Sequence, residues 1–116
     1  MKNTIVETPE FVSRSKSVLS ESEIKELIDY LSDYPEAGDL ISGTGGVRKL
    51  RWIRKGMGKR GGSRVIYFFY NDSMPLFLLT IYAKNQQVDL LESQKSELKE
   101  ILKELVKHYT KGEENE

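Results

Sequence analysis

Two apolar runs near the middle of the chain, RVIYFFY at residues 64–70 and LFLLTIYA at residues 76–83, constrain the fold more than any other feature. Both are rich in β-branched and aromatic residues, which fit a pleated surface, and both have strand length. Only NDSMP at residues 71–75 lies between them, a stretch that reads as a turn. The second run is apolar on both faces, as expected of a strand buried in mid-sheet. Upstream, VRKLRWI at residues 47–53 reads as a third strand. Period 2 puts Val47, Lys49, Arg51 and Ile53 on one of its faces and Arg48, Leu50 and Trp52 on the other.

The flanks read as helices with their own start signals. After a short strand at residues 4–6, Thr8 can cap a helix whose first position is Pro9 and which runs to about Val18. Ser20 and Glu23 have capping-box spacing, and Ile24, Leu27, Ile28 and Leu31 form one apolar stripe of a second helix that Pro35 and Gly38 end. Asp89 or Ser93 starts the last helix, with Leu91, Leu98, Ile101, Leu102, Leu105 and Val106 as its stripe. The expected fold is α+β: a small twisted antiparallel sheet, made of a β-meander plus the short N-terminal strand, packed with two N-terminal helices and one C-terminal helix. At 116 residues this is one domain, expected over residues 1–110, with KGEENE at 111–116 as a frayed polar tail.

Charge is segregated. The stretch GTGGVRKLRWIRKGMGKRGGSR, residues 43–64, holds eight of the eighteen Lys and Arg residues, and no acidic residue occurs between Asp39 and Asp72. The other ten basic residues face all eighteen acids, so the formal net charge of zero is a cancellation between two regions. Such asymmetry calls for a polyanionic partner, most simply nucleic acid. Gly56, Gly58, Gly61 and Gly62 make the segment after Ile53 a cationic loop. Gly56, Gly58 and Gly61 match G-x-G-x-x-G, but a strand follows where a dinucleotide site needs a helix, and Gly62-Ser63 stands where a phosphate loop needs Lys and then Ser or Thr.

The residue inventory narrows the chemistry. With no cysteine there is no disulfide framework, thiolate metal site or cysteine nucleophile. The N-terminus lacks the apolar core of a signal peptide and no run approaches a membrane span, so a cytoplasmic location is expected. His108 is the lone histidine and reads as a surface or helix-end cation, and no clustered carboxylates suggest a metal. What is left is cationic and phenolic: Lys49, Arg51, Arg64, Tyr82 and Lys84, with Tyr67 expected to be a packing residue. Metal-free RNA cleavage needs the 2′-hydroxyl in line with its own phosphate, stabilisation of a phosphorane, and help for the leaving 5′-oxygen. Arginine suits the phosphorane, whereas lysine or tyrosine moves protons only where nearby cations lower its pKa.

GTGGVRKLRW, GKRGGSRVIYFFY and LLTIYAKNQQVDL together resemble the RelE/HigB superfamily of toxins from bacterial type II toxin–antitoxin modules, closest to its HigB-like branch. The resemblance implies the same fold and a ribosome-dependent endoribonuclease that cuts mRNA in the A site by 2′-hydroxyl attack, with no cofactor. It matches the family's basic strand residues to Arg48, Lys49 and Arg51, its phosphate-clamping arginine to Arg64, and its late-sheet residues to Tyr82 and Lys84. On that basis Arg64, Lys84 and Tyr82 are the expected catalytic residues, and Arg48, Lys49, Arg51, Arg54, Lys55, Lys59 and Arg60 the substrate-binding ones. Some relatives carry further active-site groups in the C-terminal segment, where this chain offers only His108 and Tyr109. The resemblance also implies mRNA, the ribosome and a helix-turn-helix, HigA-like antitoxin as partners. Two alternatives share the scaffold: a ParE-like gyrase inhibitor and a non-catalytic RNA- or ribosome-binding module.

Overall fold

The computed structural model describes residues 3–53, 62–83 and 92–114. Strand β1 (Ile5–Glu7) leads into helices α1 (Pro9–Val18) and α2 (Glu21–Asp33), followed by strands β2 (Asp39–Leu40), β3 (Val47–Ile53), β4 (Gly62–Phe68) and β5 (Leu76–Ala83) and by helix α3 (Glu92–Glu114). The expected starts of α1 and α2 are present, whereas α3 begins at Glu92, with Ser93 already inside the helix. The Thr8 hydroxyl accepts from the Phe11 N–H, with Pro9 in the first turn. Ser20 and Glu23 close a capping box, in which the Glu23 N–H donates to Ser20 Oγ at 3.2 Å and the Ser20 N–H to Glu23 Oε1 at 2.8 Å. Among the described residues no helix is long and apolar enough to cross a membrane.

The strands form one five-stranded sheet in the order β1-β5-β4-β3-β2. β3, β4 and β5 are the expected antiparallel meander. β1 joins parallel to β5, which makes the sheet mixed where an antiparallel one was expected. The chain enters along the open edge of β5, where the Leu76 N–H donates to the Thr4 carbonyl at 2.9 Å and the Thr8 N–H to the Leu78 carbonyl at 3.1 Å. β2 was not foreseen, being two residues long and exposed, with no alternation to announce it. Its turn into β3 needs its glycines: Gly43, Gly45 and Gly46 have φ of 81°, 78° and 135°, and a Cβ on Gly46 would lie 2.8 Å from the Phe68 ring. Buried Thr44 braces that turn, donating to the Ile41 carbonyl at 2.6 Å and accepting from the Val47 N–H at 3.1 Å.

A core lies on each face of the sheet. Beneath α1 and α2, Phe11, Leu27 and Leu31 pack against Val65, Tyr67, Leu76, Leu78 and Ile81. On the other face Leu98, Leu102, Leu105 and Val106 of α3 meet Val47, Ile66, Phe68 and Phe77. Ile101, expected in the α3 stripe, is instead 64% exposed, because at 100° per residue it falls outside the arc that the four packed positions span. α3 also continues to Glu114, through residues expected to fray, since most of that segment is Lys and Glu with good helix propensity. Leu91 and Asp89 lie outside the described residues.

The pairing of β4 with β5 breaks once. Ile66 faces Thr80 and Tyr67 faces Leu78, so Leu79 has no partner on β4. This β-bulge reverses which face each later residue of β5 presents. Leu76 and Leu78 point to the α1/α2 core and so does Ile81, while Tyr82 joins the α3 side. The Thr8 hydroxyl holds the kink, donating to the Leu78 carbonyl at 2.8 Å and the Leu79 carbonyl at 3.1 Å. Thr8→Ala removes a helix cap and both of these bonds, and is expected to lower stability by about 1–2 kcal/mol in urea titration.

Candidate active site

Strand register assembles the site. Arg51 of β3 is paired with Arg64 of β4, and Arg64 with Tyr82 of β5, so the three residues form a row across three adjacent strands. The next row is Lys49, Ile66 and Thr80, and the one after it is Val47, Phe68 and Phe77. All lie on the α3 face, which grades from cationic at one end to apolar where α3 packs. Arg51 is exposed, Lys49 and Arg64 are half-buried, and Tyr82 is 7% exposed.

Two arginines directly opposite on neighbouring strands repel, by about 0.2–1 kcal/mol relative to a neutral pair. No carboxylate offsets that here: among the described residues Lys49, Arg51 and Arg64 form no ion pair. The side-chain hydrogen bond of Arg64 is a long one, from Nη1 to the Ser63 carbonyl at 3.4 Å. Two planar guanidinium forks and a lysine at one end of a sheet face can grip a phosphate group from two directions and stabilise added charge on it. Tyr82 places a phenol in the same row, with its hydroxyl buried.

The structure does not bring Arg48 to this group, although the resemblance implied that it binds substrate. It sits on the opposite face, as strand alternation required, and its Nη1 donates to the carbonyls of Glu36 at 3.1 Å and Gly38 at 2.8 Å. Its Nη2 lies 3.7 Å from Glu36 Oε2. The same loop is held by Tyr67, whose hydroxyl donates to the Pro35 carbonyl at 2.8 Å and accepts from the Gly38 N–H at 2.8 Å. Burial pushes the Tyr67 phenol above its ordinary pKa, only partly offset by the Gly38 hydrogen bond and by Arg48. Both residues anchor the link between α2 and β2, in keeping with the packing role expected of Tyr67. Arg54, Lys55, Lys59, Arg60 and Lys84 lie outside the described residues. Thr80, which the sequence did not single out, stands in the row beside Arg64 and Tyr82, and only the bulge puts it there.

These roles have opposite consequences for stability. Arg48→Ala is expected to cost about 1–3 kcal/mol, whereas Arg51→Ala relieves repulsion and leaves the melting temperature unchanged or raised; thermal unfolding of the two variants checks the contrast. Tyr67 adds a pH dependence. Its folded-state pKa is raised above the ordinary 10.0, so the stability it contributes is complete below pH 10 and is lost as pH rises through the raised value. Urea unfolding between pH 9 and pH 12 is expected to show a decline for the wild type that is shallower in Tyr67→Phe.

Comparison with known proteins agrees with this architecture. The structure of the E. coli toxin RelE, a double-arginine mutant in the free state, matches with a TM-score of 0.53 at 16% identity, covering 74% of this chain and 86% of that one. At that identity the match bears on the fold. The family model described as the RelE toxin of the RelE/RelB toxin–antitoxin system matches residues 5–115, nearly the whole chain. The protein therefore belongs to the RelE toxin family and is the toxin member of a toxin–antitoxin pair.

Proposed function

We propose that this toxin is a ribosome-dependent endoribonuclease that cuts mRNA in the ribosomal A site and so arrests translation. The observation that carries the reading is the row Arg51–Arg64–Tyr82, in which two arginines that form no ion pair among the described residues stand in register with a phenol on one sheet face. A protein that acted through protein contacts alone, as a gyrase inhibitor does, has no use for opposed guanidinium groups without carboxylates. In the reaction the 2′-oxygen attacks the adjacent phosphorus and the bond to the 5′-oxygen breaks, leaving a 2′,3′-cyclic phosphate and a 5′-hydroxyl. One proton leaves the 2′-hydroxyl and one reaches the 5′-oxygen.

Arg64, central in the row, stabilises the phosphorane, whose extra negative charge makes its hydrogen bonds stronger than those to the starting phosphodiester. Lys49 and Arg51 position the strand and neutralise its charge. Tyr82 and Lys84 are assigned to these two proton transfers, one taking the proton from the 2′-hydroxyl and the other giving one to the 5′-oxygen, in either order of roles. Arg54, Lys55, Lys59 and Arg60 are assigned to the mRNA and ribosome surface that surrounds the cut. The ribosome supplies in-line geometry that a site without a strong base does not impose by itself. Membership of the HigB-like branch and neutralisation by a HigA-like helix-turn-helix antitoxin complete the proposal, supported by the sequence resemblance.

The test is translation in a purified cell-free system, with mRNA ends mapped by primer extension with and without ribosomes. Wild-type protein is expected to give ribosome-dependent cuts, and Arg64→Ala to cut roughly 10²–10³-fold more slowly while still binding ribosomes through the remaining cations. Intact mRNA with wild-type protein would overturn the reading, and DNA damage on induction would replace it with the gyrase one. An Arg64→Ala effect confined to affinity would leave a binding module.

A further inference from the structure

A groove of about 490 Å³ lies between α3 and the sheet, beside the turn that joins β2 to β3. Its volume is in the range that encloses a small planar ligand. The floor is apolar, made by Phe68, Leu102 and Val106, and Tyr70, 49% exposed, forms a wall at the end of β4. Lys99, Lys103 and Lys107 line the rim. Phe68 is four residues from Arg64 along β4, roughly 13 Å at strand rise, so the groove is separate from the cationic row.

The lysines recur every fourth residue, a step of about 6 Å along the helix axis, similar to the spacing of successive phosphates in an extended single strand. Two of them make only exposed pairs within the helix, Lys103 with Glu100 and Lys107 with Glu104, each at 3.6 Å. Such pairs are weak and exchange readily for phosphate. Lys99 crosses the turn closely: a Cβ on Gly45, whose φ is +78°, would be 3.5 Å from Lys99 Cγ. An aromatic wall, an apolar floor and a track of cations are the parts that hold single-stranded nucleic acid, by stacking a base and neutralising its phosphates. An amphipathic helix would need a longer floor, since it docks through about four apolar anchors spread over two turns.

We propose that this groove is a second RNA-contact site, which takes one unstacked nucleobase against Tyr70 and the apolar floor while Lys99, Lys103 and Lys107 bind the flanking phosphates. The proposal rests on the reading of the chain as an RNA-acting toxin and extends it to a region away from the reaction.

The test measures binding of a ten-nucleotide single-stranded RNA and of the same strand with one abasic position by fluorescence anisotropy over a range of salt. Wild type, Tyr70→Ala and the Lys99→Ala/Lys103→Ala double variant are compared, all at exposed positions, with circular dichroism to verify folding. Tyr70→Ala is expected to weaken binding of the intact strand roughly five- to a hundredfold and to abolish its advantage over the abasic one. The double variant is expected to reduce the slope of log affinity against log salt by about 1.4. Unchanged affinity and slope in both variants would overturn the proposal. So would variants that bind RNA normally but lose an acidic amphipathic peptide, which would make the groove a protein-docking surface. Ribosome-dependent cleavage is scored on the same proteins. Normal wild-type cleavage with groove variants that bind RNA normally overturns the groove alone, whereas wild type that neither cuts nor binds RNA overturns both readings.

Discussion

Leu79 has no partner on β4, and from that one unpaired residue follows the side of the sheet on which β5 can take part in chemistry. With unbroken alternation, Tyr82 would share a face with Leu76 and Leu78 and be buried beneath α1 and α2. With the bulge it stands next to Arg64. Thr8 is well placed to hold this kink because it has two duties at once. As N-cap it fixes where α1 starts, and as a donor to the carbonyls of Leu78 and Leu79 it ties that start to the irregular part of β5. The first helix and the site on the far face are thus coupled through a single hydroxyl group.

The α3 face divides its labour along the strands. At one end Val47, Ile66, Phe68 and Phe77 are covered by α3, and this burial provides the favourable free energy. Toward the other end the side chains are Lys49, Arg51, Arg64 and Tyr82. An arrangement that opposes like charges on neighbouring strands destabilises the free protein slightly, and the two cores tolerate it. The same opposition makes the site receptive: a phosphate that enters between two guanidinium groups relieves their repulsion as well as forming its own hydrogen bonds. Arg48 shows what the alternative looks like. It neighbours Lys49 in sequence, yet strand alternation turns it to the far face, where two backbone carbonyls and Glu36 hold it.

Much of this was legible in the sequence because periodic signals survive folding. The capping residues Thr8 and Ser20, the stripe at Leu27 and Leu31, the meander and the split of Lys49 and Arg51 from Arg48, Leu50 and Trp52 all follow from local rules that the tertiary structure does not override. The features that were not legible are those set by pairing between distant segments. No glycine or proline marks the bulge at Leu79, so neither Thr80 nor Tyr82 could be placed on a face from its own neighbours. β2 is too short to carry a pattern, and its existence depends on the turn that Thr44 braces. Arg48 was assigned to substrate by resemblance, and the alternation places it on the face away from Lys49 and Arg51, where it holds the loop of Glu36 and Gly38. The lysine track on α3 was present as a four-residue spacing, but its meaning required knowing that the groove lies beside it.

Segregated charge gives this molecule a property that its net charge hides. α1 and α2 carry six acidic residues, Glu10, Glu21, Glu23, Glu26, Asp29 and Asp33, against three basic ones, Arg14, Lys16 and Lys25, and so leave an acidic excess beneath one face of the sheet, while Lys49, Arg51 and Arg64 cluster on the other, where the acids of α3 are largely matched by its lysines. Near a polyanion such a molecule is oriented before it is bound, since one face is attracted and the other repelled. A uniformly basic protein of the same size would bind phosphate chains in many poses and be held by each of them. Zero net charge lowers that indiscriminate affinity while the local field at the cationic row stays strong, because exposed charges beyond about a Debye length are screened from it. Orientation is therefore gained without general stickiness.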